Sequence, residues 1–308
     1  MLHVAGTSAS DIPKGGWVDR VLPAPLRPYA RLARLDRPIG TWLLLFPCWW
    51  GLALGARTWP DPVLMMLFAL GAVVMRGAGC TYNDIVDRDF DARVARTADR
   101  PIPSGAVSLR QAIAFLLLEL LVGLGILLML NEAAIALGVL SLALVFTYPL
   151  MKRVTWWPQF FLGLAFNWGA LMGYAAATGD VAPSAALVYI AGILWTLGYD
   201  TIYAHQDKED DALIGVKSSA RRLGERTRPA LYLFYGATVL LLGAAFALAD
   251  LGWPVYLFLA AGAAQLLWQA VTVDLDQPAD CLAKFKSNRV FGWLILAGLV
   301  AGHLSAQA

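Results

Sequence analysis

Asn83, Asp84, Asp87, Asp89 and Asp91 crowd into nine residues directly after an apolar run from Val63 to Cys80. If that run is a helix that continues, Asn83, Asp87 and Asp91 stand at i, i+4 and i+8 on one face. Acids stacked at the end of a lipid-buried helix repel one another unless a cation lies between them, and hard oxygen ligands suit Mg²⁺. A second acidic stretch runs from Asp200 to Asp211, where Asp200, Asp207 and Asp211 at i, i+7 and i+11 predict another helical face. A single cluster is what a solvated helix end carries in any case. Two with matching stripes, both closing apolar runs, point to a Mg²⁺-bridged diphosphate held between two helices.

Arg76 is the one base embedded in an apolar span. It precedes Asn83 by two helical turns, hence lies on the same face and about 10 Å deeper. A buried guanidinium needs an anion, and its fork suits a carboxylate, either a structural acid or that of an acidic substrate. Lys152 and Arg153 follow Tyr148-Pro149, and Lys217 follows the second acidic cluster. All three are candidates to neutralise diphosphate oxygens, with membrane topology as the alternative reason for their charge. His205 forms no ligand pattern, Cys48, Cys80 and Cys281 show no metal spacing, and most tryptophans sit near span ends as an interfacial belt would. No phosphate-binding glycine loop, nucleophile elbow or zinc spacing is present.

These groups must be positioned by a membrane protein. Hydrophobic residues make up 59% of the chain and charged ones 15%, with a mean hydropathy of +0.60. Soluble domains have roughly 45–50% and about 25%. After a polar, proline-rich segment at 1–38, the expected transmembrane domain at 39–308 contains nine apolar spans. They fall near 39–56, 62–82, 110–130, 132–150, 157–178, 184–206, 229–249, 253–273 and 289–306, each about long enough to cross a bilayer. With the N-terminus inside, 22 of the 24 Lys and Arg residues fall on the inner side, a strong positive-inside asymmetry. Both acidic clusters then close spans on that same side, four spans apart. Each is followed by a polar basic loop: Arg93, Arg96, Arg100 and Pro101-Ile102-Pro103-Ser104-Gly105 in one, Lys217-Ser218-Ser219-Ala220-Arg221-Arg222-Leu223-Gly224 in the other. Residues 1–38 lack a signal-peptide core, and Asp11 and Asp19 argue against a transit peptide, so a bacterial inner (plasma) membrane is the expected location.

The chain resembles the intramembrane aromatic prenyltransferases. The stretch Asn83–Asp91 looks like their first acidic motif and Asp207-Lys208-Glu209-Asp210-Asp211 like their second. Arg34-Leu35-Asp36-Arg37-Pro38-Ile39-Gly40-Thr41, Met75–Cys80, Arg100–Gly105, Tyr148–Arg153 and Tyr199–Ala204 narrow the likeness to the 4-hydroxybenzoate polyprenyltransferase branch. The resemblance implies an all-α bundle of nine transmembrane helices around a central cavity, with two cytoplasmic cap loops. It implies prenylation of 4-hydroxybenzoate ortho to its hydroxyl by a polyprenyl diphosphate in ubiquinone biosynthesis. Mg²⁺ would be held by Asn83, Asp87, Asp91, Asp207 and Asp211, with Asp87, Asp207 and Asp200 at the chemistry. Arg76, Asn83, Lys152, Arg153 and Lys217 would face the substrates. The partners expected are those two substrates and the lipid bilayer, with no nucleic acid. A relative acting on another aromatic or quinone precursor shares the acidic motifs. A cation-coupled transporter places its acids at the midplane of inverted repeats, unlike the same-side clusters here.

Overall fold

Every secondary-structure element of the computed structural model is helical among its described residues, 12–13, 15–93 and 97–306. Asp11 and Arg96, which entered the reading above, lie outside them. Short helices α1 (Trp17–Val21) and α2 (Arg27–Leu32) precede α3 (Ile39–Gly55), α4 (Pro62–Asp91), α5 (Leu109–Leu127) and α6 (Glu132–Val154). Then come α7 (Pro158–Asn167), α8 (Gly169–Thr178), α9 (Pro183–Ala204), α10 (Lys208–Ile214), α11 (Ser219–Leu223), α12 (Thr227–Leu248), α13 (Pro254–Thr272) and α14 (Pro278–Ala306). Eight helical stretches are long and apolar enough to cross a membrane, α7 and α8 together forming one of them. The shorter apolar α3 brings the apolar helical stretches to nine among the described residues, and the protein is a multi-pass integral membrane protein. A reporter fused after Ala308 is therefore expected on the side opposite the basic loops, and one inserted near Gly105 or Gly224 on their side. Activity of all three on one side would mean an even number of crossings.

Two boundaries differ from the sequence expectation. Helix α4 does not stop near residue 82. Its 30 residues span about 45 Å, against a hydrocarbon core of about 30 Å, so its last turns carry the acids beyond the lipid. Helix α14 begins at Pro278 rather than near 289, absorbing most of the expected inner segment at 274–288. Pro278 opens it, Asp280 sits in its first turn, and Lys284 Nζ donates to Asp280 Oδ1 at 3.3 Å. That is a favourable N-terminus for a helix.

The chain divides into two compact units: one runs to Gly40 and includes Val73–Gly125, and the other holds Thr41–Ala72 and the residues from Ile126 onward. In the first, Leu32, Val107 and Ala112 form a buried core with Tyr29, Ile85, Ile102 and Phe115 packed on it. Helix α2 thus supplies part of this core.

In the second unit α9 packs against α7, α12 and α14. Some 67% of its apolar window is buried, which makes it the central helix there. Trp50, Trp195, Tyr199 and Phe291 interlock at its centre, with ring centroids 5.0–6.0 Å apart. Trp50 and Trp195 thus correct the belt expectation: they are core residues, and their indole N–H groups donate to Gly292 O at 3.0 Å and Asn288 Oδ1 at 2.8 Å. Gln269 donates to the same Asn288 oxygen at 3.2 Å and accepts from Tyr235 OH at 3.0 Å. These pairs satisfy polar groups that lipid could not. Helices α3 and α8 meet through glycine. A Cβ on Gly51 would lie 2.1 Å from Ala170 O, and one on Gly173 2.1 Å from Cys48 O, so only glycine permits this backbone approach.

Candidate active site

Helix α4 runs unbroken through Asp91, so the first stripe forms as its spacing requires. Arg76 and Asn83 are half-buried on it, while Asp87 is 1% and Asp91 8% exposed. The Arg76 guanidinium lies against Gly40, where a Cβ would come within 2.5 Å of its Nε. Gly40 therefore makes the room that this arginine occupies.

Asp84, one residue off the stripe, is completely buried and is the hub of an ion cluster that sequence reasoning missed. Arg34 Nη2 donates to Asp84 Oδ1 at 2.8 Å, and Arg100 Nη1 donates to the same oxygen at 3.3 Å. Arg100 Nη1 also reaches Asp91 Oδ2 at 2.9 Å. Thr97 Oγ1 donates to Asp91 O at 2.8 Å and so caps the helix. Arg34 ends α2 with a left-handed φ of 57° while Leu35 N–H returns to Ala30 O at 2.9 Å, a helix-closing turn that normally takes glycine. An arginine there carries strain of about 1–3 kcal/mol. It is held in place because its guanidinium reaches Asp84 and Arg31 O. The signal available in the sequence was the pair of motifs containing Arg34 and Arg100, both read there for resemblance and topology.

The second stripe does not form. Helix α9 ends at Ala204, a 3₁₀ turn covers His205–Asp207, and α10 restarts at Lys208. Asp200 therefore does not share a continuous helical face with Asp207 and Asp211. The break is anchored by His205, which is buried with Nε2 3.1 Å from Thr227 Oγ1 at the start of α12. Helix α10 closes on Gly215 at φ 77°, and Lys217 N–H then bonds Lys152 O at 3.0 Å. Lys217 Nζ donates to Val154 O at 3.0 Å. The second basic loop is thereby stitched to the end of α6, and Lys217 meets the segment that carries Lys152 and Arg153. Arg221 donates to the carbonyls of Asp211 and Val216. Ser219 N–H donates to Gln159 Oε1 at 3.1 Å, and its hydroxyl pairs with Thr201 Oγ1 at 2.7 Å.

Among the described residues no three His, Cys, Asp or Glu side chains gather closely enough to hold a metal ion by themselves. On α4, Asp84 is engaged by two guanidiniums, and Asp91 by one of them. Asn83, Asp87 and Asp91 in the first unit, and Asp207 and Asp211 in the second, are each oxygen donors, the kind of group that suits Mg²⁺.

A family model described as the UbiA prenyltransferase family matches residues 44–296. An Arabidopsis thaliana protein named 4-hydroxybenzoate polyprenyltransferase, mitochondrial, is 53% identical over 295 residues, covering 95% of this chain and 72% of its own. A Lithospermum erythrorhizon protein named 4-hydroxybenzoate geranyltransferase 2 is 49% identical over 290 residues, covering 94% of each chain. The solved structure of a UbiA homolog from Archaeoglobus fulgidus bound to GPP and Mg²⁺ matches with a TM-score of 0.69 at 21% identity, over 90% of this chain and 99% of that one. That last likeness is one of fold.

Proposed function

This chain belongs to the UbiA prenyltransferase family, and from that premise we propose that it transfers a polyprenyl group from polyprenyl diphosphate to 4-hydroxybenzoate. The new bond forms ortho to the ring hydroxyl, diphosphate is released, and the product enters ubiquinone biosynthesis. The observation that carries this reading is the 53% identity to a 4-hydroxybenzoate polyprenyltransferase over 95% of the chain. The test is release of diphosphate from a polyprenyl diphosphate with and without 4-hydroxybenzoate, in Mg²⁺ and in chelator. Release that ignores the acid would overturn it. The geranyltransferase relative favours one variant, a short C10 donor, and donors of graded length in the same assay separate the two.

Asn83, Asp87, Asp91, Asp207 and Asp211 would hold Mg²⁺, and the bound ion would supply neutralisation of charge on the diphosphate oxygens. Lys152, Arg153 and Lys217 add positive charge there. Asp200 orients the phenol. The apolar spans exclude water that would otherwise capture the allylic cation. The active face is the side of the basic loops, cytoplasmic in a bacterial host. The bacterial location itself draws no support from the relatives, several of which are named mitochondrial.

Arg76 grips the acceptor's carboxylate. Arg76→Met is therefore expected to lower kcat/KM for 4-hydroxybenzoate about ten- to a hundredfold, the loss of a charge-assisted hydrogen bond of roughly 1.5–3 kcal/mol. Neutral phenols should be almost indifferent to the change. Equal losses for both would reassign Arg76 to diphosphate binding or to structure.

A further inference from the structure

Asp91 belongs to two rows on α4 at once. It lies one turn beyond Asp87 and two beyond Asn83, which makes it the last oxygen donor of the stripe. It also lies seven residues beyond Asp84, and i, i+7 is again one face. A cation spans that second row. Arg100 Nη1 donates to Asp91 Oδ2 at 2.9 Å and to Asp84 Oδ1 at 3.3 Å, so a single nitrogen serves both carboxylates. All three side chains are largely buried, which strengthens each contact.

The guanidinium is aimed by its own loop. Thr97 Oγ1 donates to Asp91 O at 2.8 Å, and Arg100 N–H donates to Thr97 O at 3.0 Å, so the residue that caps α4 also sets where Arg100 begins. Ser104 N–H closes the next turn on Arg100 O at 3.0 Å. Val107 N–H then donates to Pro101 O at 2.8 Å, and Val107 is anchored in the buried core of the first unit. The two ends of the bridge are not equivalent. Asp84 has a second guanidinium, Arg34, at 2.8 Å. Arg100 can therefore give up Asp91 and keep a buried counter-charge at Asp84. The two guanidiniums and two carboxylates cancel among themselves, so a further cation at Asp91 is repelled by Arg100 for as long as that guanidinium stays there.

We propose that Arg100 is a built-in counter-ion of the first acidic stripe, and that a divalent cation binds there by displacing Arg100 from Asp91 onto Asp84 alone. This rests on the reading that Asp91 is a Mg²⁺ ligand. Arg100 is then a positioning residue that acts through Asp91. It fixes that carboxylate at the end of α4 and offsets the repulsion between the acids of successive turns. It also sets the threshold of binding, because any cation must compete with it for the same carboxylate.

The test uses Mg²⁺ alone on the full chain in detergent, read as melting temperature against Mg²⁺ concentration after treatment with chelator. Arg100→Gln is expected to melt earlier than the wild type in chelator, yet to need about tenfold less Mg²⁺ for half of its stabilisation, through loss of one competing charge-assisted contact. An arginine that served structure alone would lower the melting temperature and leave the Mg²⁺ requirement unchanged or raise it, and either result overturns the proposal. In an Asp91→Asn background the same change at Arg100 should no longer move the Mg²⁺ half-point, because the competition runs through that carboxylate. A tenfold shift that persists there overturns it too. Should Arg100→Gln fail to fold, the wild type decides. Labelling of Arg100 by an arginine-directed dicarbonyl, located by mass spectrometry, should rise as Mg²⁺ is added, and labelling that Mg²⁺ leaves unchanged or suppresses overturns the proposal. Mg²⁺ that stabilises neither protein overturns the metal reading instead, so the two failures are distinguishable.

Discussion

Asp87→Ala and Asp207→Ala, each alone, are expected to abolish prenyl transfer while leaving a folded, membrane-inserted protein. Asp87 is 1% exposed at the acidic end of α4, and a carboxylate that deep on the stripe is worth most as an oxygen donor to a cation. Removing one donor from the proposed set removes several kcal/mol of charge stabilisation on the departing diphosphate. At 1.36 kcal/mol per tenfold that is a loss of about 10³-fold or more in turnover. The measurement is single-turnover release of diphosphate at saturating Mg²⁺, with the melting temperature in detergent as the control for folding. Near-normal turnover in either variant would sink the idea that both clusters serve one diphosphate.

Asp84→Asn is expected to fail in a different way, through stability first. Asp84 Oδ1 receives both Arg34 and Arg100 in a buried setting, and the side chains of Asp84 and Arg34 are 0% and 8% exposed. Deleting that charge leaves the Arg34 guanidinium buried without its counter-charge, while Arg100 keeps Asp91, and an unpaired buried charge of this kind costs about 3–5 kcal/mol. The strained turn at Arg34 then loses the contact that holds it. The first unit should melt earlier, and trypsin should gain access at Arg31 and Arg34 in conditions where the wild type resists. If Asp84→Asn matched the wild type in both melting and proteolysis, the cluster would be ornamental and the left-handed turn would need another cause.

Much of this was readable before any coordinates. The spans are read well because a bilayer demands unbroken apolar length. The Asn83–Asp87–Asp91 stripe held because nothing between Val63 and Asp91 interrupts a helix. The second stripe was misread for the opposite reason. A 3₁₀ turn at His205–Asp207 shifts the phase, and it is fixed by His205 meeting Thr227, a contact between distant residues that periodicity cannot carry. The Arg34–Asp84–Arg100 cluster escaped for the same reason: each residue had a local explanation in topology, and only the fold brings them together. Most tryptophans were read as interfacial from their places near span ends, whereas the burial of Trp50 and Trp195 depends on which side of a helix faces its neighbours. Glu119 left a plain signal, a lone acid inside an apolar helix, but only the fold sets it against Gly77.

The Arg34–Asp84 pair also constrains how the protein can be made. Its two members are 50 residues apart, and the chain between them contains the whole first crossing and most of the second. Arg34 leaves the ribosome long before its partner exists, and until then its left-handed turn has only the local bonds to Arg31 O and Ala30 O. The N-terminal arm must therefore wait, unlatched, at the membrane surface until the end of α4 emerges and Asp84 can receive it. Synthesis order thus makes this ion pair a late clasp, one that closes only after the first crossing and most of the second have been made.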